Sequence, residues 1–443
     1  MQNMTGKSPN QNQYNLFRPL LREFIDMNHE LVLLAHKIDW NYFEKSFTPY
    51  YSTTGQPSMP IRLMVGCLML KRIYNYGDET LAEAWVMNPY MQYFCGEAHF
   101  QYKFPCDPSD LVHFRNRIGT KGVELIFTYS VEMHGNKVKS KVVLSDTTVQ
   151  ENNITYPTDA KLAKKIIDKS AKIAKEEKVK QRQSYKRISK QLLRDTYNST
   201  HPKRKKKALK AQKKLHTIAG RVVRELQNKL PCDALVEHSG ELSLYQEVLK
   251  QKRADSNKIY SLHKPFTSCI AKGKAHKKYE YGNKVGLIIN PKELVIMGIE
   301  SFEGNPHDSK TIDPLLQQME KNLSYQPEEV IYDRGGRGKT EICGVKISTP
   351  KKAKKTDSQY QKRKERKKFR RRAAIEPVIG HLKTDFRMAQ NYLHGRASPK
   401  TNAMLAATGW NLKKMMEKLK LELLHLYFYL FPQVQVNILI LSS

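Results

Sequence analysis

The pattern of the sequence changes at Lys137, where a helical pattern gives way to short runs of β-branched and apolar residues. The first run, Lys141 to Val149, reads KVVLSDTTV, and similar runs recur at Val285 to Ile289, Leu294 to Ile299 and Glu329 to Asp333. Runs of this length and composition predict buried strands. Because strands and helical stretches alternate, we predict a mixed α/β fold for this part of the chain.

The N-terminal part, residues 1–130, predicts a mainly helical domain. Apolar residues recur at helical spacing between Arg62 and Tyr74. Asp78 is a candidate N-cap for a second helix, which we expect to break at Asn88-Pro89.

A further helix is predicted from Asp110 to Ile118, with Ser109 as its N-cap and Gly119 as its C-terminal stop. Arg115 and Arg117 lie in its last turn, and we predict that they contact DNA. Stabilisation of the helix dipole is an equally good explanation of these two arginines.

The mixed α/β part, residues 137–415, contains a block of different composition at about 159–256. This block is helical in pattern and rich in lysine, most of all at Lys203 to Lys214 (KRKKKALKAQKK), so we interpret it as an insertion. Two more helices are predicted, at about Ala374 to Lys383 and Asn402 to Leu419. The apolar tail, residues 416–443, contains Pro432 and several polar residues, so we expect it to pack against the body or a partner and not to span a membrane.

The net charge limits the possible partners. The sequence has 77 Lys and Arg against 43 Asp and Glu, a formal net charge of +34. A charge of this size is typical of proteins that neutralise a phosphate backbone. A structural RNA binder and a membrane-surface binder remain alternatives on charge alone. The six cysteines include no C-x-x-C pair, which argues against zinc and fits reduced thiols, and the polar N-terminus does not resemble a secretory signal.

Three acidic residues stand out as candidate metal ligands. Asp146 lies within the first predicted strand, Asp333 closes another before a glycine-rich turn, and Glu376 lies in a basic, helical segment. Carboxylate oxygens are the ligands that Mg²⁺ prefers. Each residue alone has an ordinary explanation, as a turn residue, a helix cap or a surface ion pair. The three together favour a metal site.

The segment Phe369 to Lys383 has the pattern F-x2-R-x3-E-x6-K, through Arg372, Glu376 and Lys383. It resembles the Y-x2-R-x3-E-x6-K signature of bacterial DDE-type insertion-sequence transposases, in the branch that includes insertion-sequence family five. Other segments resemble the same family, and they include Asp146-Thr147-Thr148, Tyr156 to Asp159, Gly273 to Val285, His307-Asp308 and IYDRGGRG at Asp333. The resemblance covers nearly the whole chain except the tail. Phe369 departs from the signature's tyrosine, and Pro377 directly follows the glutamate.

The resemblance implies an RNase H-like catalytic core with Asp146, Asp333 and Glu376 as catalytic ligands of two Mg²⁺ or Mn²⁺ ions. It also implies that Arg372 and Lys383 contact DNA near the site, and we add Arg334, which follows the second aspartate. On one continuous helix the signature's arginine, glutamate and lysine would share a face.

The function implied is that of a DNA transposase. The helical domain, helped by the insertion, would bind the ends of a mobile element in double-stranded DNA, and a homodimer would pair them. The site would cut DNA and join the 3′-OH to target DNA in the cytoplasm of a prokaryote, close to the nucleoid. The alternatives are a catalytically inactive DNA-binding descendant, a structural nucleic-acid binder and a nuclease without strand transfer.

Overall fold

The computed structural model describes residues 4–10, 14, 17–252, 254–271, 277–336, 338, 340–350 and 357–430, with the side chains of Arg334 and Phe428 excepted. Part of the Gly273 to Val285 segment, the start of the basic run before the signature and residues 431–443 of the predicted tail lie outside these ranges. No helix among the described residues is long and apolar enough to cross a membrane.

The N-terminal region is helical, as the apolar periodicity predicts. Its helices are α1 (Leu21–Phe24), α2 (Glu30–Lys37), α3 (Trp40–Phe47), α4 (Ile61–Ile73), α5 (Asp78–Met87), α6 (Pro89–Phe94) and α7 (Pro108–Glu132). The predicted break at Asn88-Pro89 is confirmed, because Asn88 ends α5 and caps α6 with its side chain. Gly119 interrupts α7 with φ +58°, a conformation that glycine adopts at little cost.

Two predicted caps are wrong. Asp107, and not Ser109, caps α7, and its side chain accepts a hydrogen bond from the backbone N–H of Ser109. Pro108 then occupies the first helical position, where its missing N–H costs nothing. Gly77 precedes α5 in the cap position, and the carboxylate of Asp78 is bound to Lys71 and Arg115 instead.

The strands of the central part form one mixed sheet. They are β1 (Val142–Asn152), β2 (Ser268–Ala271), β3 (Tyr279–Ile289), β4 (Ile296–Phe302), β5 (Glu329–Ile331), β6 (Glu341–Ile342), β7 (Val345–Ser348) and β8 (Gln390–Asn391). β1 pairs antiparallel with β3 on one side and parallel with β5 on the other. β4 pairs antiparallel with β3, and β7 pairs parallel with β5. This mixed α/β architecture is consistent with the RNase H-like core that the resemblance implies.

The lysine-rich block is a helical insertion between β1 and β2. It comprises α8 (Asp159–Glu176), α9 (Lys186–Asp195), α10 (Pro202–Lys229), α11 (Cys232–Glu237) and α12 (Ser239–Lys250). Its apolar side chains bury one another in a cluster of their own, separate from the cluster shared by the N-terminal helices and the sheet. The cations of Lys203 to Lys214 lie on the exposed side of α10.

The remaining helices are α13 (Ile312–Leu323), α14 (Gln359–Arg372), α15 (Ile375–Thr384) and α16 (Ser398–Leu430). α16 packs against α4, α7 and β4, and thereby joins the N-terminal helices to the sheet. Its last turns are the described part of the predicted tail, which we expect to pack against the body or a partner. Leu421, Leu424, Leu426 and Tyr429 are exposed there.

Candidate active site

The sheet register brings the two predicted aspartates together. β1 and β5 are parallel neighbours in which Leu144 pairs with Ile331. Asp146 follows Leu144 by two residues, and Asp333 follows Ile331 by two residues. Asp146 thus lies within β1 and Asp333 lies two residues beyond the end of β5, at the same edge of this strand pair. The charge of Asp333 acts on the Asp146 carboxyl, so the two side chains are neighbours.

Each aspartate is also fixed by a local hydrogen bond. The backbone N–H of Thr147 donates to Asp146 Oδ1 at 2.7 Å, and that of Gly335 donates to Asp333 Oδ1 at 2.7 Å. Burial raises the pKa of the Asp146 carboxyl, and the negative charge of Asp333 raises it further, against the hydrogen bond from Thr147 and the charge of Arg372. A bound cation would relieve the like-charge repulsion between the two carboxylates.

Arg372 links the third predicted acid to the first. Its Nη1 donates to Asp146 Oδ2 at 3.0 Å, and its Nη2 lies 3.4 Å from Glu376 Oε1. The side chains of Arg372 and Asp146 are 19% and 17% exposed, whereas that of Glu376 is 65% exposed. Arg372 therefore bridges Glu376 and Asp146.

The signature does not lie on one continuous helix. α14 ends at Arg372, and α15 begins at Ile375. Pro377 explains the break, because proline has no N–H to donate to the carbonyl four residues earlier and its ring crowds that carbonyl. The prediction that all three signature side chains share a single helix face is therefore wrong, although Arg372 and Glu376 still meet across the break.

The donor set suits a divalent cation. Asp146, Asp333 and Glu376 offer only carboxylate oxygens, which are hard ligands of the kind that Mg²⁺ and Mn²⁺ take. Within the described part of the chain, no three His, Cys, Asp or Glu side chains already stand close enough to form a metal site. The chemistry of the donors thus fits a metal. In the structure Glu376 contacts Arg372 and is not grouped with the two aspartates.

The other predicted DNA contacts lie in different surroundings. Arg115 is buried, and both of its terminal nitrogens donate to Asp78, so it stabilises the fold and presents little of its guanidinium to DNA. Arg117 is exposed, and its guanidinium carbon lies over the ring of Tyr51, 4.5 Å from the ring centroid. Lys383 is half-buried near the end of α15. The side chain of Arg334 lies outside the described part.

Sequence reasoning missed a fourth carboxylate at the site. It belongs to Asp308, which begins a short turn that His307 caps by accepting a hydrogen bond from the N–H of Ser309. The ring of Tyr332 is buried beside the acids, and burial first, then the charges of Asp308, Asp146 and Asp333, raise its pKa. The signal available in the sequence was the His307-Asp308 segment of the resemblance.

Comparisons with known proteins identify two transposase domains in the chain. Residues 19–117 match the family model described as a transposase domain of the DUF772 type, and residues 251–412 match the transposase DDE domain. The second match contains Asp333 and Glu376, whereas Asp146 lies before it, on the other side of the insertion. No solved structure matches the chain.

One curated relative is "Uncharacterized protein ORF8 in nfe locus" of Rhizobium meliloti. It is 37% identical over 192 residues, which are 42% of this chain and 93% of that protein. Two transposase domains in this order define a DDE-domain transposase. The chain belongs to the DDE-type insertion-sequence transposases. The narrower resemblance to insertion-sequence family five stays a prediction.

Proposed function

We propose that this transposase cuts DNA at the ends of its mobile element and joins the freed 3′-OH to target DNA in a metal-dependent site built from Asp146, Asp333 and Glu376. The observation that carries the proposal is the proximity of Asp146, within β1, to Asp333, which lies just beyond the end of the neighbouring parallel strand β5. An RNase H-like core provides such an arrangement, and the topology of the mixed sheet supports it.

The two aspartates are the first residues to hold the metal. Both are anchored by backbone N–H groups, so their free oxygens are oriented before any ligand arrives. Two bound Mg²⁺ or Mn²⁺ ions would supply activation of the attacking oxygen and stabilisation of the leaving one. Glu376 is the exposed third ligand, and it completes the set once Arg372 turns away from Asp146.

Arg372 has a second partner in this scheme, the DNA backbone. A guanidinium binds phosphate with paired hydrogen bonds as readily as it binds carboxylate. When DNA enters, its phosphate draws Arg372 from Asp146 and frees that carboxylate. DNA binding and metal binding thereby support each other. Lys383 and Arg334 are the further proposed contacts to DNA near the site.

The N-terminal helices and the basic insertion bind the element ends. Arg117 and the cations of α10 are exposed, as contacts to phosphate require. A homodimer that holds two ends would let one site act on each. No serine or tyrosine nucleophile is needed, because water and then the 3′-OH attack the phosphorus.

Cleavage of a labelled duplex that carries the element's own ends tests the proposal. Wild-type protein with Mg²⁺ should nick the end and then produce an inserted product, and Asp333→Asn and Asp146→Asn should abolish both reactions. Glu320→Gln, on an exposed face of α13, is the matched carboxylate control and should leave them unchanged. Cleavage without insertion would support a nuclease, and tight binding with no cleavage by the wild type would support the inactive descendant.

A further inference from the structure

Asp308 is an acidic side chain at the site, and the proposed function assigns it no role. It begins a short 3-10 turn, Asp308–Lys310, in the connection between β4 and α13. Its Oδ1 accepts two hydrogen bonds, from Thr147 Oγ1 at 2.9 Å and from Lys284 Nζ at 2.9 Å. Thr147 is the residue that follows Asp146, so this carboxylate binds β1 directly beside the first metal-binding acid.

The other oxygen of Asp308 faces the turn that holds the second acid. A Cβ atom added to Gly335 would lie 2.4 Å from Asp308 Oδ2 and 3.0 Å from Asp333 Oδ1. Only a residue without a side chain fits between these two carboxylates. Asp308 therefore packs on the backbone of Gly335, whose N–H orients Asp333.

Lys284 offsets the negative charge that Asp308 adds beside Asp146 and Asp333. Its side chain is 11% exposed, and its Nζ also donates to the carbonyl of Pro306 at 2.6 Å. The lysine thus neutralises Asp308 from the side of β3, away from Asp146 and Asp333. A surface ion pair would contribute little, but this pair is largely removed from water and fixed by hydrogen bonds on both partners.

We propose that Asp308 is a positioning residue for the metal site, which sets the separation of the Asp146 strand and the Asp333 turn. It acts through Thr147 and Gly335, and Lys284 holds it in place. The role rests on the proposed function, because it assumes that Asp146 and Asp333 bind a divalent cation. Partners of metal ligands in other proteins affect metal affinity by about 10- to 100-fold.

Binding of Mn²⁺ to the full-length protein without DNA tests this role apart from catalysis. The free Mn²⁺ concentration is followed by electron paramagnetic resonance for the wild type, Asp308→Asn and Asp333→Asn. We expect Asp308→Asn to weaken Mn²⁺ binding by about tenfold or more, while Glu320→Gln binds as the wild type does. Raising Mn²⁺ should restore cleavage to Asp308→Asn but not to Asp333→Asn.

Thr147 provides a second test should Asp308→Asn fail to fold. Thr147→Val removes the hydroxyl that Asp308 binds, and Thr147→Ser retains it. We expect weaker Mn²⁺ binding in the valine variant and wild-type binding in the serine variant, with equal thermal stability in the absence of metal.

Two outcomes separate this inference from the proposed function. Wild-type Mn²⁺ affinity in both Asp308→Asn and Thr147→Val would overturn the positioning role, while the dependence on Asp333 would leave the proposed function standing. Absence of Asp333-dependent Mn²⁺ binding in the wild type itself would instead overturn the metal site, and the positioning role with it.

Discussion

Replacement of Arg372 by alanine should strengthen metal binding in the DNA-free protein even as it impairs DNA cleavage. In the structure the guanidinium donates to Asp146 Oδ2 at 3.0 Å and lies 3.4 Å from Glu376 Oε1. A cation that uses these oxygens must first displace Arg372. The variant removes that competitor and one positive charge next to the metal.

The size of the effect follows from the ion pair that the variant removes. Both side chains of the Arg372–Asp146 pair are less than one-fifth exposed, so water screens the interaction only in part. Hydrogen bonds between charged groups contribute about 1.5–3 kcal/mol. Since 1.4 kcal/mol is a factor of ten, the Mn²⁺ dissociation constant should fall by roughly 10- to 150-fold.

The assay is a Mn²⁺ titration by electron paramagnetic resonance at fixed pH and ionic strength, with Arg370→Ala as the control. Arg370 lies two residues earlier on α14 and is exposed, so its replacement changes the net charge equally without touching Asp146. Cleavage by Arg372→Ala should drop by about 100-fold, the usual effect of removing one positioned donor at a reacting phosphate or carbonyl. Unchanged or weaker Mn²⁺ binding in Arg372→Ala would refute the competition between guanidinium and metal.

Three further expectations concern stability and DNA binding. Burial alone would raise the pKa of Asp78, but hydrogen bonds from Arg115 and Lys71 outweigh it and lower the pKa to about 2. The contribution of the Asp78 carboxylate to stability is therefore present above about pH 4 and lost as the pH falls toward 2. Asp78→Ala should lower the free energy of unfolding by about 3 kcal/mol in urea at pH 7. A change under 1 kcal/mol would contradict this. Burial and the charges of Arg115 and Arg72 lower the pKa of Lys71 to about 7. Because Lys71 keeps its proton to higher pH in the unfolded chain, the free energy of unfolding should rise from pH 7 toward 10. Lys71→Met should flatten that rise. Four exposed cations of α10 can be replaced together by glutamine, namely Lys203, Lys206, Lys210 and Lys213. The slope of the logarithm of the DNA-binding constant against the logarithm of the salt concentration should then fall by about 0.9 for each phosphate that is no longer neutralised. An unchanged slope would exclude α10 from the DNA interface.

The sequence alone determined the class of protein and most of its elements. Apolar periodicity and β-branched runs located the main helices and strands, because local spacing decides which side chains one face presents. Asp146 and Asp333 could be proposed as metal ligands from their places beside predicted strands and from the resemblance. The excess of cations indicated a nucleic-acid partner, because net charge depends on composition alone.

Only the tertiary structure decided which partners those residues meet. Arg115 was predicted to contact DNA, but folding places Asp78, 37 positions earlier, within 2.7 Å of it. Asp308 was given no role at the site, but β1 brings Thr147 to it from 161 positions away. Pairings over such separations depend on how strands align and helices pack, and no local spacing encodes them. The helix break before Pro377 could be anticipated from the sequence. The contact of Arg372 with Asp146 could not, because it depends on the packing of α15 against β1.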